Sequence, residues 1–152
     1  MPPKFSLQTV LDVRHTKVES IEIEMGKMIQ LRSQKESYLE ACYNAQDKLY
    51  ETLHQHMTGE MDLFVINHLR LNINQVSDQI KLTNDQIAEL NSKIEETRLA
   101  LIEAKKEEEA LAILKNKEYE RYLEEEKEKE KRMVDDVYIS QGFRQRKSEA
   151  NP

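Results

Sequence analysis

Apolar residues recur along this chain at alternating intervals of four and three. The first run passes through Leu7, Leu11, Arg14, Val18, Ile21, Met25, Met28, Arg32, Lys35, Leu39, Cys42, Gln46, Leu49, Leu53 and His56, and ten of these fifteen positions are apolar. The second passes through Ile66, Leu69, Ile73, Val76, Ile80, Thr83, Ile87, Leu90, Ile94, Thr97, Leu101, Ala104, Glu108, Leu111, Lys115, Glu118 and Tyr122, with twelve of seventeen apolar. Pooled, 22 of 32 stripe positions are apolar against 38% for the whole chain, so the spacing carries information beyond composition. A repeat of 3.5 residues draws one narrow stripe on an α-helix and implies left-handed supercoiling against a partner helix. Between Met28 and Leu49 a neighbouring track through Leu31, Tyr38 and Ala45 competes, and the periodicity leaves two local registers open.

The ends of the runs predict the elements. Ser6 can cap the start of a first helix, with Phe5 and Val10 placed to form a hydrophobic staple across it. Between the runs lies Met57-Thr58-Gly59-Glu60-Met61-Asp62, with a glycine between two capping residues. A turn belongs near 58–61, with either Thr58 or Asp62 capping the second helix. The expected fold is all-α: a two-helix antiparallel coiled-coil hairpin with a longer, charged C-terminal helix extension. A first helix of about 50 residues would be roughly 75–80 Å long, and a turn at Gly59 predicts that facing residues have numbers summing to about 119. Leu7 should then meet Ala112 and Leu11 should meet Glu108, with nothing left to pair beyond about Lys115. The expected organisation is therefore a hairpin over 5–118, a charged single-helix extension over 119–140 and a flexible basic tail over 141–152.

Composition agrees with long helices and few turns. Of the 152 residues 34% are charged, Trp is absent, and the three prolines are Pro2, Pro3 and Pro152. The glycines are Gly26, Gly59 and Gly142. A globular chain of this length needs many turns and a larger apolar core. From Glu103 to Arg132 twenty of thirty residues are charged, eleven acidic and nine basic. Glu125–Lys129 and Glu128–Arg132 stand at i,i+4 spacing on that stretch, each pair worth a few tenths of a kcal/mol. The net charge of −6 argues against nucleic acid, because phosphate binding needs a dense positive field. No apolar run approaches the roughly 18–20 residues that span a bilayer, and the opening Met-Pro-Pro-Lys lacks the apolar core of a signal peptide. The expectation is a cytoplasmic protein.

Catalytic and metal signatures do not emerge. His54 and His56 are two apart and point to different helix faces. Asp135 and Asp136 would be solvated, with nothing to shift their titration. Cys42, the single cysteine, reads as a small buried apolar group on the stripe. No cofactor, metal or small-molecule substrate is expected, and no enzymatic activity. Arg14, Arg32 and Lys35 interrupt the first stripe. Their stems can snorkel outward, or they can weaken the middle of the hairpin. Phe64, His68, Leu71, Gln75, Asp78 and Leu82 fall on the face of the second helix opposite the stripe, so apolar groups there would face water near the turn. Such exposure is a candidate docking patch.

Two segments resemble the FliJ family, whose members are small components of the bacterial flagellar type III export apparatus. The opening Phe5-Ser-Leu-Gln-Thr-Val-Leu-Asp-Val-Arg14, running into a helix with Glu19, is similar to that family's start. Tyr119-Glu-Arg-Tyr122, the Glu/Lys block, Asp135-Asp-Val-Tyr138 and Phe143-Arg144 are similar to its end, where an Asp-Glu pair usually stands in place of Asp-Asp. The resemblance extends to the injectisome counterpart and covers nearly the whole chain. It implies a fold like the γ stalk of rotary ATPases, joining a hexameric export ATPase to the cytoplasmic domain of the membrane export gate. It also implies contact with export chaperones and a peripheral place at the inner membrane through the export apparatus, in the service of motility and chemotaxis. On this reading Phe5, Leu7, Val10, Arg14, Leu111, Leu114 and Tyr122 are candidates for the ATPase ring. Phe64, His68, Leu71, Gln75 and Leu82 are candidates for the gate. The competing reading is a generic coiled-coil scaffold or holding chaperone that self-associates through the same stripe. A prefoldin-like protein would need a β-hairpin where Met57 to Asp62 is too short and polar for one.

Overall fold

A computed structural model of the protein describes residues 4–150, with side chains for 4–147. It contains two α-helices, α1 over Gln8–Met57 and α2 over Leu63–Ala150, of 50 and 88 residues. No strand occurs among the described residues. The two helices pack against each other in opposite directions, as the paired stripes predict. The chain divides into two units, one over residues 17–103 and one built from residues up to 16 together with those from 104 onward.

In the unit 17–103 the stripe is the core. Val18, Cys42, Ile66, Ile73, Ile80, Thr83 and Ile94 are buried, and the remaining stripe positions between 21 and 53 and between 69 and 101 are half-buried. Each fully buried aliphatic side chain contributes about 1.5–3 kcal/mol relative to exposure. The competing track loses: Leu31 and Tyr38 are exposed, while Met28, Arg32, Lys35 and Leu39 turn inward. Thr83 is accommodated among isoleucines because its hydroxyl donates to the carbonyl of Gln79 at 2.7 Å, leaving no unpaired polar group.

The turn resolves the capping ambiguity. The Asp62 carboxylate accepts the backbone N–H of Phe64 at 3.0 Å, and its carbonyl accepts that of Ile66, so Asp62 is the N-cap of α2. Thr58 belongs to the other helix, its hydroxyl donating to the Gln55 carbonyl at 3.0 Å. Because α2 starts at Asp62, the pairing is displaced from a turn centred on Gly59. Facing residue numbers sum to 121 for Arg14 with Glu107, and to 123 for Arg32 with Asn91 and Gln46 with Ser77. Glu108 meets His15 at 2.6 Å, one turn along α1 from Leu11. Gly59 has no positive φ, so it marks the turn through poor helix propensity and not through left-handed backbone.

In the other unit, α1 begins later than Ser6. The first intrahelical bond runs from the Leu11 N–H to the Leu7 carbonyl at 2.9 Å, and the Gln8 N–H to Phe5 carbonyl bond closes a turn before it. The cap position thus falls on Leu7, and Ser6 stands outside the helix. Val10 is exposed, and Phe5 lines a small cavity of about 60 Å³ with Lys115, Glu118 and Tyr119 of α2. The pairing therefore continues past Lys115. Ala104 is buried and Leu11, Glu108, Leu111 and Ala112 are half-buried. Beyond Tyr122 the described side chains are exposed, apart from the half-buried Gly142. Arg132 pairs with Glu128 at 3.7 Å as its spacing predicts, whereas Lys129 pairs with Glu126 at 3.9 Å, one turn position away from Glu125. The segment 141–150, read from sequence as a tail, is helical; residues 151–152 lie outside the described ones. One glycine weakens a helix by about 1 kcal/mol, and without an interior proline nothing removes a ladder N–H.

Candidate functional site

Two rows of side chains stand clear of the seam. Near the turn the first residues of α2 cannot all face α1, since a single stripe is buried per helix. Phe64 is 81% exposed, and Leu71 and Leu82 repeat on the same outward side, also exposed. His68 and Gln75 are exposed between them. All five residues of the predicted gate set therefore present their side chains to solvent. Met57, Met61 and Leu63, which periodicity alone did not single out, are exposed beside them and enlarge the apolar area. Their signal was available: apolar residues inside a turn have no seam to enter.

The predicted ring set does not form one such surface. Leu7, Val10 and Leu114 are exposed, but Leu111 is half-buried on the seam. Arg14 does not snorkel away; its guanidinium donates to the Glu107 carboxylate at 2.6 Å. Tyr122 is half-buried with its ring 6.3 Å from that of Tyr119. Arg32 likewise crosses the seam, to Asn91 at 3.0 Å. These bonds explain how two of the three cations sit on an apolar stripe: Arg14 and Arg32 each meet a polar partner from the other helix.

A third feature escaped sequence reasoning. On one side of the seam, Tyr38, Ala41, Cys42 and Ala45 of α1 face Gln75, Val76, Asp78 and Gln79 of α2 across a groove of about 740 Å³. The small side chains of Ala41, Cys42 and Ala45 leave the space. The Tyr38 phenol is held above its ordinary titration range, first by a hydrogen bond with Cys42. Among the described residues no group of three or more His, Cys, Asp or Glu could hold a metal ion, and no helix is long and apolar enough to cross a membrane. The exposed rows are apolar, and the groove is lined by both apolar and polar side chains.

A family model described as flagellar FliJ protein matches residues 3–148. The chain belongs to the FliJ family. No curated protein and no solved structure matches it. This FliJ-family chain is thus a helical coiled-coil protein of the flagellar export family. The segments read from sequence as similar to the family lie at its two ends, Phe5–Arg14 entering α1 and Tyr119–Arg144 within the last part of α2. The same FliJ-family chain exposes a second apolar group there: Met133, Val134, Val137, Tyr138, Ile139 and Phe143.

Proposed function

We propose that this protein is a non-enzymatic stalk of the flagellar type III export apparatus, linking the export ATPase hexamer to the cytoplasmic domain of the membrane export gate. It works in the cytoplasm, held at the inner membrane through the apparatus, and also contacts export chaperones. The observation that carries the reading is the family match over residues 3–148. The exposed row at Phe64, Leu71 and Leu82 supports it by offering the gate an apolar surface that the hairpin does not use. The terminal segments, with Phe5, Leu7, Val10, Arg14, Leu111, Leu114 and Tyr122, serve the ATPase ring.

The test separates the two contacts. Phe64→Ala with Leu71→Ala removes apolar area outside the seam, so folding should hold. Each truncation should weaken binding to the purified gate domain by roughly 1–2 kcal/mol, about five- to thirty-fold, while stimulation of the export ATPase persists. Leu7→Ala with Leu114→Ala, both exposed, should do the reverse, lowering ATPase stimulation while gate affinity persists. Both assays belong at fixed salt, because the terminal helix is so charged. A tip variant that loses ATPase stimulation but keeps gate affinity would invert the assignment. If neither partner binds the intact chain, the stalk reading fails.

A further inference from the structure

In a chain that is 34% charged, one flank of the unit 17–103 carries no charge over a long stretch. The flank consists of the residues just before alternate seam positions. On α1 these are Leu31, Tyr38, Ala45 and Thr52. On α2 they are Val65, Asn72, Gln79 and Gln86. The Tyr38 hydroxyl lies 3.5 Å from Gln79 Oε1, which places both rows on the same side of the hairpin. One repeat further along each helix the charge returns, at Glu24 and at Lys93. The opposite flank includes Glu36 and Arg70 and is bridged by Gln46 to Ser77 at 2.9 Å and Arg32 to Asn91 at 3.0 Å. The uncharged flank instead gapes as the groove beside Ala41, Cys42 and Ala45. Coiled coils normally charge these positions to keep them in water.

We propose that a second copy of this chain seats its own groove here, making a two-fold dimer of hairpins. Copies that each carry a net charge of −6 repel wherever charged surfaces meet, and these uncharged rows are where they approach with few ions to desolvate, Asp78 and Lys48 lying beside them. Leu31 and Tyr38 stand exposed along it and gain by burial. The polar groups that remain favour like against like. Gln75 and Gln79 are amides, each both donor and acceptor, so a two-fold axis across the groove pairs them with their own copies. Asp78 is the charged member of the lining and is exposed, so it can stay in water at the rim. A stretch of about 22 residues per helix is ~33 Å long, and the width of a helix pair, ~18–20 Å, gives about 600 Å² per copy. The total of about 1,200 Å² reaches the lower limit for a specific, reversible interface.

Sedimentation equilibrium of the full chain from about 1 to about 500 μM, a span that brackets weak dimers, should show reversible monomer–dimer exchange. Ala45→Glu places a carboxylate in the groove at an exposed helical position, so helicity should be unchanged while the dimer dissociation constant rises at least tenfold. Ala88→Glu, exposed on α2 outside the groove, should leave that constant where it was. A chain that is monomeric throughout overturns the proposal, as does a dimer indifferent to Ala45→Glu. It is also overturned if the chain alone is monomeric and Ala45→Glu abolishes binding of another protein's helix, since the groove is then that partner's seat.

Discussion

Thr83 is 2% exposed, deeper than any isoleucine around it. Its depth shows what the seam demands of each residue: a side chain of the right size whose polar atoms are already bonded. Arg14, Arg32 and Gln46 meet that demand by reaching Glu107, Asn91 and Ser77, and no buried side-chain polar atom among the described residues lacks a partner. At the same scale Asp62 decides where α2 begins. Replacing it with alanine leaves the Phe64 N–H without its acceptor and should destabilise the protein by about 1 kcal/mol. Thr58→Ala, which removes a hydroxyl bonded back to its own helix, should change stability by less than half of that. Urea unfolding of the two variants checks the assignment. A larger loss at Thr58 would return the cap to the earlier residue and shift the pairing with it.

Each helix is held by its stripe and by pairs along its outer surface. Ile80 lies on the seam of α2, while Asp85 is exposed on its outer side. Ile80→Asp would bury an unpartnered carboxylate and should destabilise by several kcal/mol, whereas Asp85→Ala should stay within about 0.5 kcal/mol. Equal effects in a denaturant titration would mean the stripe has been drawn on the wrong face. The outer pairs act more weakly. Arg98 donates twice to Glu95, at 2.6 and 2.9 Å, and this hydrogen bonding holds the Glu95 carboxyl below the ordinary glutamate range. Because the folded value is the lower one, the pair supports α2 above the ordinary carboxylate range and loses its contribution as pH falls through the lowered value. Both groups are exposed, so solvent and salt keep the effect small.

For the whole molecule, the length of α2 beyond Tyr122 is the feature that packing does not explain. Its described side chains there are exposed and sustained by pairs such as Glu128–Arg132. Deleting residues 123–152 should therefore remove helical signal in circular dichroism while leaving the melting temperature within about 4 °C of the intact chain, since less than 1 kcal/mol of stability is lost. A fall well beyond that would mean the extension packs on something. An unchanged midpoint would show that the extension adds nothing to the stability of the packed helices.

The hairpin was legible because a 3.5-residue repeat is a local property: any helix carrying it must bury that stripe. Leu39, Cys42, Ile73 and Ile80 could be placed inward from spacing alone, as could Phe64 and Leu71 outward. Three things needed the tertiary structure. The choice of Asp62 over Thr58 depends on which oxygen reaches an N–H, and both residues are competent caps. The exit of Leu31 and Tyr38 in favour of Arg32 and Lys35 runs against hydrophobicity, and is set by the continuity of the stripe and by Asn91 waiting across the seam. The groove exists because the small Ala41, Cys42 and Ala45 of α1 come to face Gln75, Val76 and Gln79 from a distant part of the chain. Periodicity reports which side of a helix is buried, but the partners it meets, and the space left between them, arise when the second helix is in place.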